Sequence, residues 1–277
     1  MRIPLLRRRK PAVAVVRLNG VIATGGRGRD TINLQTLSRV LERAFSVRGV
    51  RAIALDINSP GGSPVQSAMI FDRIRALAEE KRLPVVGFTQ DVAASGGYWL
   101  ACAADEIFAN ENSIVGSVGV ISSSFGLQGL LDRFGIERRV HTSGGRKAFL
   151  DPFLPEKIED VERLKSLQAE IHESFRGLVR ERRRGRLKAD EEVLFSGEFW
   201  TGRKAMELGL IDGLGDLRTV LRERYGKNVR FRVFGPEQSW LLRRIGIAGG
   251  NKGSGGHWAD ALLDTIEARA IWARYGL

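Results

Sequence analysis

The stretch that decides the fold begins with Ala52-Ile-Ala-Leu55, runs into Asn58-Ser-Pro-Gly-Gly62, and continues through Ala68, Ile70, Phe71, Ile74 and Leu77 to Pro84-Val-Val-Gly-Phe88. An unbroken apolar run closed by a Pro-Gly-Gly turn predicts a strand buried on both faces, and apolar residues three and four apart from Val65 onward predict a helix. The run at 84–88 supplies the next strand. Upstream, Ala12-Val-Ala-Val-Val16 followed by Asn19-Gly20 reads as a further buried strand. From about Thr31 a helix carries Leu34, Leu37, Val40, Leu41 and Ala44 on one face. Strand, helix and strand alternate, which predicts an α/β domain of parallel strands joined by crossover helices, with chemistry at the carboxyl ends of the strands.

Downstream, Asp160 to Arg184 predicts a long charged helix with Leu164, Leu167, Ile171, Phe175 and Leu178 as its apolar stripe, and Val229 to Phe234 alternates like a strand. Gly249-Gly-Asn-Lys-Gly-Ser-Gly-Gly256 has the composition of a flexible linker. Beyond it, Trp258 to Tyr275 predicts an amphipathic helix through Leu262, Leu263, Ile266, Ile271 and Trp272.

At 277 residues and 43% hydrophobic content the chain can bury a large core, which sets disorder aside. Lys and Arg exceed Asp and Glu by 44 to 32, so an anionic surface is an electrostatically available partner. Two basic runs, Arg7-Arg-Arg-Lys10 and the arginines at 180–186, read first as a frayed terminus and a solvated helix face, and second as a membrane-facing surface. Aromatic residues are not interleaved with these arginines, so nucleic acid is not an expected partner. A single cysteine, Cys102, excludes an intrachain disulfide framework and reads as core filler. No apolar run is long enough to span a bilayer, and the first residues lack the apolar centre of a secretory signal. The expectation is therefore a cytoplasmic chain, with peripheral contact to the inner membrane face as an option.

Ala94-Ser95-Gly96-Gly97-Tyr98-Trp99 follows a strand and opens an apolar helical run. A serine at such a turn can expose its hydroxyl beside unobstructed backbone N–H groups, the arrangement acyl transfer needs. By itself, Ser-Gly-Gly is more often a structural turn. The Pro-Gly-Gly at the end of another strand adds Gly62, whose N–H can face the same oxyanion as that of Gly96. A nucleophilic serine also needs a base. His172 lies on the long helix and His257 at the end of the linker, both in packing or solvated positions, and His141 stands in no motif. A lysine kept neutral by apolar surroundings is the alternative. Lys147, between Ser143-Gly-Gly-Arg146 and Ala148-Phe-Leu-Asp-Pro-Phe153, is the lysine expected to lie against apolar surface.

Six segments in order carry a resemblance: Leu18-Asn-Gly-Val-Ile22, Asp56-Ile-Asn-Ser-Pro-Gly-Gly-Ser63, Ala94-Ser-Gly-Gly-Tyr98, Ile114-Val-Gly-Ser-Val-Gly-Val120, Thr142-Ser-Gly-Gly-Arg-Lys147 and Gly202-Arg-Lys-Ala-Met-Glu-Leu-Gly-Leu-Ile-Asp212. From about Pro11 to about Arg218 the chain resembles the signal peptide peptidase A family of serine peptidases, S49, with the Clp protease/crotonase-like fold. The resemblance implies Ser95 as nucleophile, Lys147 as general base, Gly62 and Gly96 as oxyanion donors, and Ser117 as a hydroxyl orienting the lysine amine. It implies no cofactor and no metal. Its substrates are polypeptides: unfolded, membrane-derived or signal-peptide-like segments. Short members form homo-oligomeric rings in which the serine of one subunit meets the lysine of its neighbour, which places active sites at subunit interfaces.

The expected layout is a basic segment at 1–10, a peptidase-like domain at 11–248, a linker at 249–256 and a terminal helix at 257–277. That helix either lies on a membrane surface or covers the active-site bowl. Two other functions fit the glycine loops: a crotonase-like acyl-CoA enzyme, which has no need of Ser95, and a catalytically silent scaffold binding peptides or membrane proteins.

Overall fold

The computed structural model describes residues 10–24, 31–235 and 270–276. The basic start at 1–9, the linker and the terminal helix before residue 270 lie outside the described residues, and His257 with them.

In chain order the elements are β1 (Ala12–Asn19), β2 (Val21–Ile22), β3 (Thr31–Ile32), α1 (Leu34–Phe45), β4 (Val50–Ser59), α2 (Pro64–Lys81), β5 (Val85–Ala94), α3 (Gly96–Ala101), β6 (Glu106–Ala109) and β7 (Ile114–Gly116). There follow α4 (Gln128–Phe134), α5 (Ile158–Arg182), α6 (Glu191–Leu194), β8 (Phe199–Thr201), α7 (Gly202–Glu207), β9 (Gly213–Leu214), α8 (Leu217–Tyr225) and β10 (Arg230–Phe234). The main sheet runs β10-β1-β4-β5-β6-β9 with every pairing parallel. This is the α/β architecture expected from the alternation of strands and helices.

Local chemistry starts and stops the helices where they are needed. The Asn33 side chain accepts the Thr36 N–H at 2.9 Å to open α1, whose Leu37, Val40, Leu41, Ala44 and Phe45 are buried. Ser63 caps α2, Pro64 occupies its first turn, and Arg82 closes it in the left-handed conformation. Both helices pack on one face of the sheet with Ile53, Leu55 and Ile57, while Val13, Val15, Ala54 and Phe88 on the other face meet Leu221 of α8. Each such aliphatic side chain contributes roughly 1.5–3 kcal/mol by leaving water.

The feature that places the site is β5. Its first half pairs with β6 through Val86–Thr89, and its last residues, Val92–Ala94, pair instead with β7. Between them Gln90 and Asp91 are exposed. The strand passes from one layer to another, and β7 in turn pairs antiparallel with β8.

Residues 121–160 leave this body as an arm. None of the residues of α4 is buried, and Phe125 (84% exposed), Phe134 (68%) and Ile158 (78%) face outward. The apolar stripe expected along the long helix is covered only at its far end: Phe175 and Val179 of α5 are buried, whereas Leu167 and Ile171 are exposed. Among the described residues no helix is long and apolar enough to cross a membrane.

Candidate active site

Ser95 stands between β5 and α3 at φ 51°, ψ −124°, a conformation an L-residue adopts only when its surroundings hold it there, at a cost of order 1–3 kcal/mol. Its N–H donates to the Gly116 carbonyl at 2.8 Å, and its carbonyl accepts from the N–H groups of Tyr98 (2.9 Å) and Trp99 (3.0 Å). The side chain is half-buried and points into no capping bond.

The loop after β4 interlocks with this turn. Ile22 pairs with Gly62, its N–H donating to the Gly61 carbonyl (2.8 Å) and its carbonyl accepting from Ser63 (2.7 Å). In that parallel bridge the N–H of Gly62 points away from Ile22, toward Gly96. A Cβ on Gly96 would lie 3.4 Å from the Gly62 nitrogen and 2.5 Å from Ser67 Oγ. Gly62 itself, at φ +139°, would carry a Cβ 2.0 Å from the Ile22 carbonyl oxygen, and one on Gly97 would lie 2.3 Å from that of Ser59. Glycine is therefore sterically required at 62 and 97. Gly96 opens α3, so its N–H has no acceptor within the helix. Gly62 and Gly96 thus lie side by side next to Ser95, and neither N–H meets a protein acceptor among the described residues.

The far end of α3 is tied down by charge. Arg182 donates to the carbonyls of Cys102 (2.8 Å) and Ala104 (3.0 Å), and Arg75 donates to that of Ala103 (3.1 Å). Cations at the carboxyl end of a helix complement its dipole. In the middle, the Tyr98 hydroxyl donates to the Leu210 carbonyl at 2.7 Å. Arg183, 2% exposed, donates to Asp212 at 2.6 Å and to the Gly209 carbonyl. Burial pushes the Tyr98 hydroxyl well above its ordinary pKa and the Cys102 thiol up to about 12.

These contacts revise the reading of the basic run. Arg180 pairs with Glu173 and Glu191, Arg182 with Asp105, and Arg183 and Arg186 with Asp212. Arg182 and Arg183 turn inward, while Arg180 with its half-exposed partners and the exposed Arg184 and Arg186 keep the solvated helix face.

Lys147 belongs to a different part of the structure. It lies on the arm, exposed, with its backbone N–H on the Gly144 carbonyl at 3.2 Å, and no hydrogen bond or ion pair joins its side chain to Ser95. The chain's own apolar surface does not cover it, because the arm leaves the core before residue 147 is reached. Ser117 is buried at φ 54°, its N–H on the Glu198 carbonyl at 2.7 Å, one residue beyond the Gly116 that holds Ser95. Ser95, Gly62, Gly96 and Ser117 thus share one neighbourhood, and Lys147 stands apart from it. His172 bonds the Val118 carbonyl at 3.1 Å in a packing role, and His141 is exposed.

Two residues that sequence reasoning placed in a motif or an element without an individual role also lie at the site: Ile22, which braces Gly62 through its backbone, and Tyr275, whose ring stacks edge-on against Phe199. A cleft of about 540 Å³, lined by Arg17, Asp56, Thr89 and Asp216, opens on the other face of the sheet and includes none of the site residues. No cluster of His, Cys, Asp and Glu able to hold a metal is present among the described residues.

Known proteins similar to this chain give four findings. The model of peptidase family S49 matches residues 77–229. A Brucella abortus protein named Na(+)/H(+) antiporter NhaA is 52% identical over 272 residues, a match covering 96% of this chain but only 37% of that relative. A putative protease of Synechocystis, slr0021, is 34% identical over 205 residues, covering 73% of this chain and 69% of its own. Among solved structures, the 1510-N membrane-bound stomatin-specific protease in complex with a substrate peptide superposes with a TM-score of 0.51 at 16% identity. That match covers 86% of this chain and 98% of the other, a likeness of fold.

Proposed function

Because the chain belongs to peptidase family S49, we propose that it is a serine endopeptidase in which Ser95 is the nucleophile and Lys147 the general base. The observation that carries this reading is the strained Ser95 turn facing two unspent backbone amides, Gly62 and Gly96. Strain of this kind persists where the surrounding structure over-determines it, and it clusters at reactive residues.

In the proposed reaction the neutral amine of Lys147 takes the Ser95 Oγ proton as that oxygen attacks a peptide carbonyl carbon. The carbonyl oxygen becomes an oxyanion held by the N–H groups of Gly62 and Gly96. Collapse breaks the C–N bond, the lysine returns its proton to the departing amine, and an ester on Ser95 remains. Water, deprotonated by the same lysine, attacks that ester and releases the acid and Ser95. A lysine acts as a base only where apolar surroundings favour its neutral form. The exposed arm meets that need once a second copy covers it, so the active unit is a homo-oligomer with Ser95 of one copy facing Lys147 of the next. The apolar side chains on the arm support this. Ser117 orients the incoming amine. Substrates are extended polypeptide segments, unfolded, membrane-derived or signal-peptide-like.

The test is acylation by a fluorophosphonate probe followed by peptide mapping. Modification at Ser95 that drops by at least about a hundredfold in Lys147→Ala, within the usual range for a general base, is the expected result. An assembled oligomer that takes no label would replace the peptidase with a peptide-binding scaffold.

A further inference from the structure

The described part of the chain ends in a short segment, residues 270–276, far in sequence from Ser95 and close to it in space. Residues 270–273 are helical, and turns at Tyr275 and Gly276 follow, with the Tyr275 N–H on the Trp272 carbonyl at 2.9 Å. Tyr275 is buried with Val92 and Ala94 of β5, and Trp272 and Ile114 pack against them. The phenol ring meets Phe199 at 5.1 Å and 65°. Its hydroxyl lies 3.4 Å from the Pro60 carbonyl oxygen and 3.4 Å from Ser117 Oγ.

Each of those partners flanks the reacting centre. Ala94 precedes Ser95, Pro60 precedes the Gly61-Gly62 pair, and Ser117 follows the Gly116 that holds the Ser95 amide. The Tyr275 ring therefore stands among the segments that a polypeptide with its carbonyl on Gly62 and Gly96 would pass. The hydroxyl also takes the Ser117 contact proposed to orient the lysine amine.

We infer that residues 270–276 are a resident occupant of the substrate groove, seated by Tyr275, that must withdraw before another peptide can bind. The inference rests on the reading of Ser95 as the nucleophile. The strength of the contact fits an occupant that comes and goes. Both hydroxyl contacts are longer than a normal O–H···O bond, so the ring's burial against Phe199, Val92 and Ala94 carries the seat.

The experiment uses the full chain with Ser95→Ala, which prevents turnover, and a fluorescein-labelled heptapeptide of residues 270–276, Ala-Ile-Trp-Ala-Arg-Tyr-Gly. A tethered copy competes at an effective concentration in the millimolar range, so emptying the groove by Tyr275→Ala strengthens binding of the free heptapeptide at least about tenfold by fluorescence anisotropy. Tyr275→Phe, which keeps the ring, binds it as weakly as the chain that retains Tyr275. Equal affinity with and without the Tyr275→Ala substitution, or no binding in either case, overturns the inference. Acylation of Ser95 in the otherwise unaltered chain is read separately. Labelling without peptide discrimination removes the resident segment and keeps the peptidase, and discrimination without labelling does the reverse.

Discussion

Cys102, the only cysteine, shows how fully α3 is enclosed, since burial outweighs the nearby arginines and drives its thiol up to about 12. The sign is that of an acid denied its charged form: the thiolate is disfavoured in the folded chain and released on unfolding. Iodoacetamide at pH 8 is therefore expected to leave Cys102 unmodified in the folded protein and to alkylate it completely in denaturant, as counted by intact mass. Rapid alkylation without denaturant would show that α3 is not packed as described. At this scale the sequence was informative about Ser95, Gly62 and Gly96, because glycines after strand ends report where backbones approach closely. It gave no individual role to Ile22 or Tyr275: one acts through its main chain, and the other was legible only as part of a terminal helix that covers the bowl or lies on a membrane.

Among the elements, the buried pair of Arg183 and Asp212 joins the end of α5 to β6, since Asp212 also accepts the Ile107 N–H. Arg183→Met removes a buried cation and leaves Asp212, itself largely enclosed, with one of its two arginines. Breaking a buried pair on one side costs about 3–5 kcal/mol. The expected loss of melting temperature is on the order of 10 °C by circular dichroism. Arg184→Met, at an exposed neighbour without a side-chain partner among the described residues, is expected to change stability by no more than about 0.5 kcal/mol. Equal effects of the two would remove the structural role of that pair. β1, β4, β5, α1 and α2 were legible because long apolar runs and helical spacing identify them. β7, β8 and β9, of three residues or fewer, are too short to display a period, and arginines inside a charged run carry no mark of which ones turn inward.

For the molecule as a whole, the net charge of +12 is a weaker guide than the placement of its cations, since much of the basic run at 180–186 is spent on internal carboxylates. The exposed apolar groups on the arm are the better guide to association. If Ser95 and Lys147 meet across copies, mixing Ser95→Ala with Lys147→Ala chains and reassembling them restores intact pairs at some interfaces. Random assembly of a cyclic oligomer returns roughly a quarter of the unmutated peptidase activity, although each variant alone is inactive. No recovery in co-purified mixed oligomers would place serine and lysine within one chain. The alternating strands and helices made the α/β class readable. The uncovered arm was not readable, because an apolar residue looks the same in sequence whether its own core or a second copy buries it.

The ties on α3 also bear on biosynthesis. The turn bearing Ser95 is translated well before Arg182 and Leu210, which bond the end and the middle of its helix. At ordinary elongation rates that delay is on the order of ten seconds. A ribosome-bound chain therefore carries its serine for that interval on a helix held by Arg75 alone at its end, and the full set of ties forms only once the later half of the domain has emerged and docked.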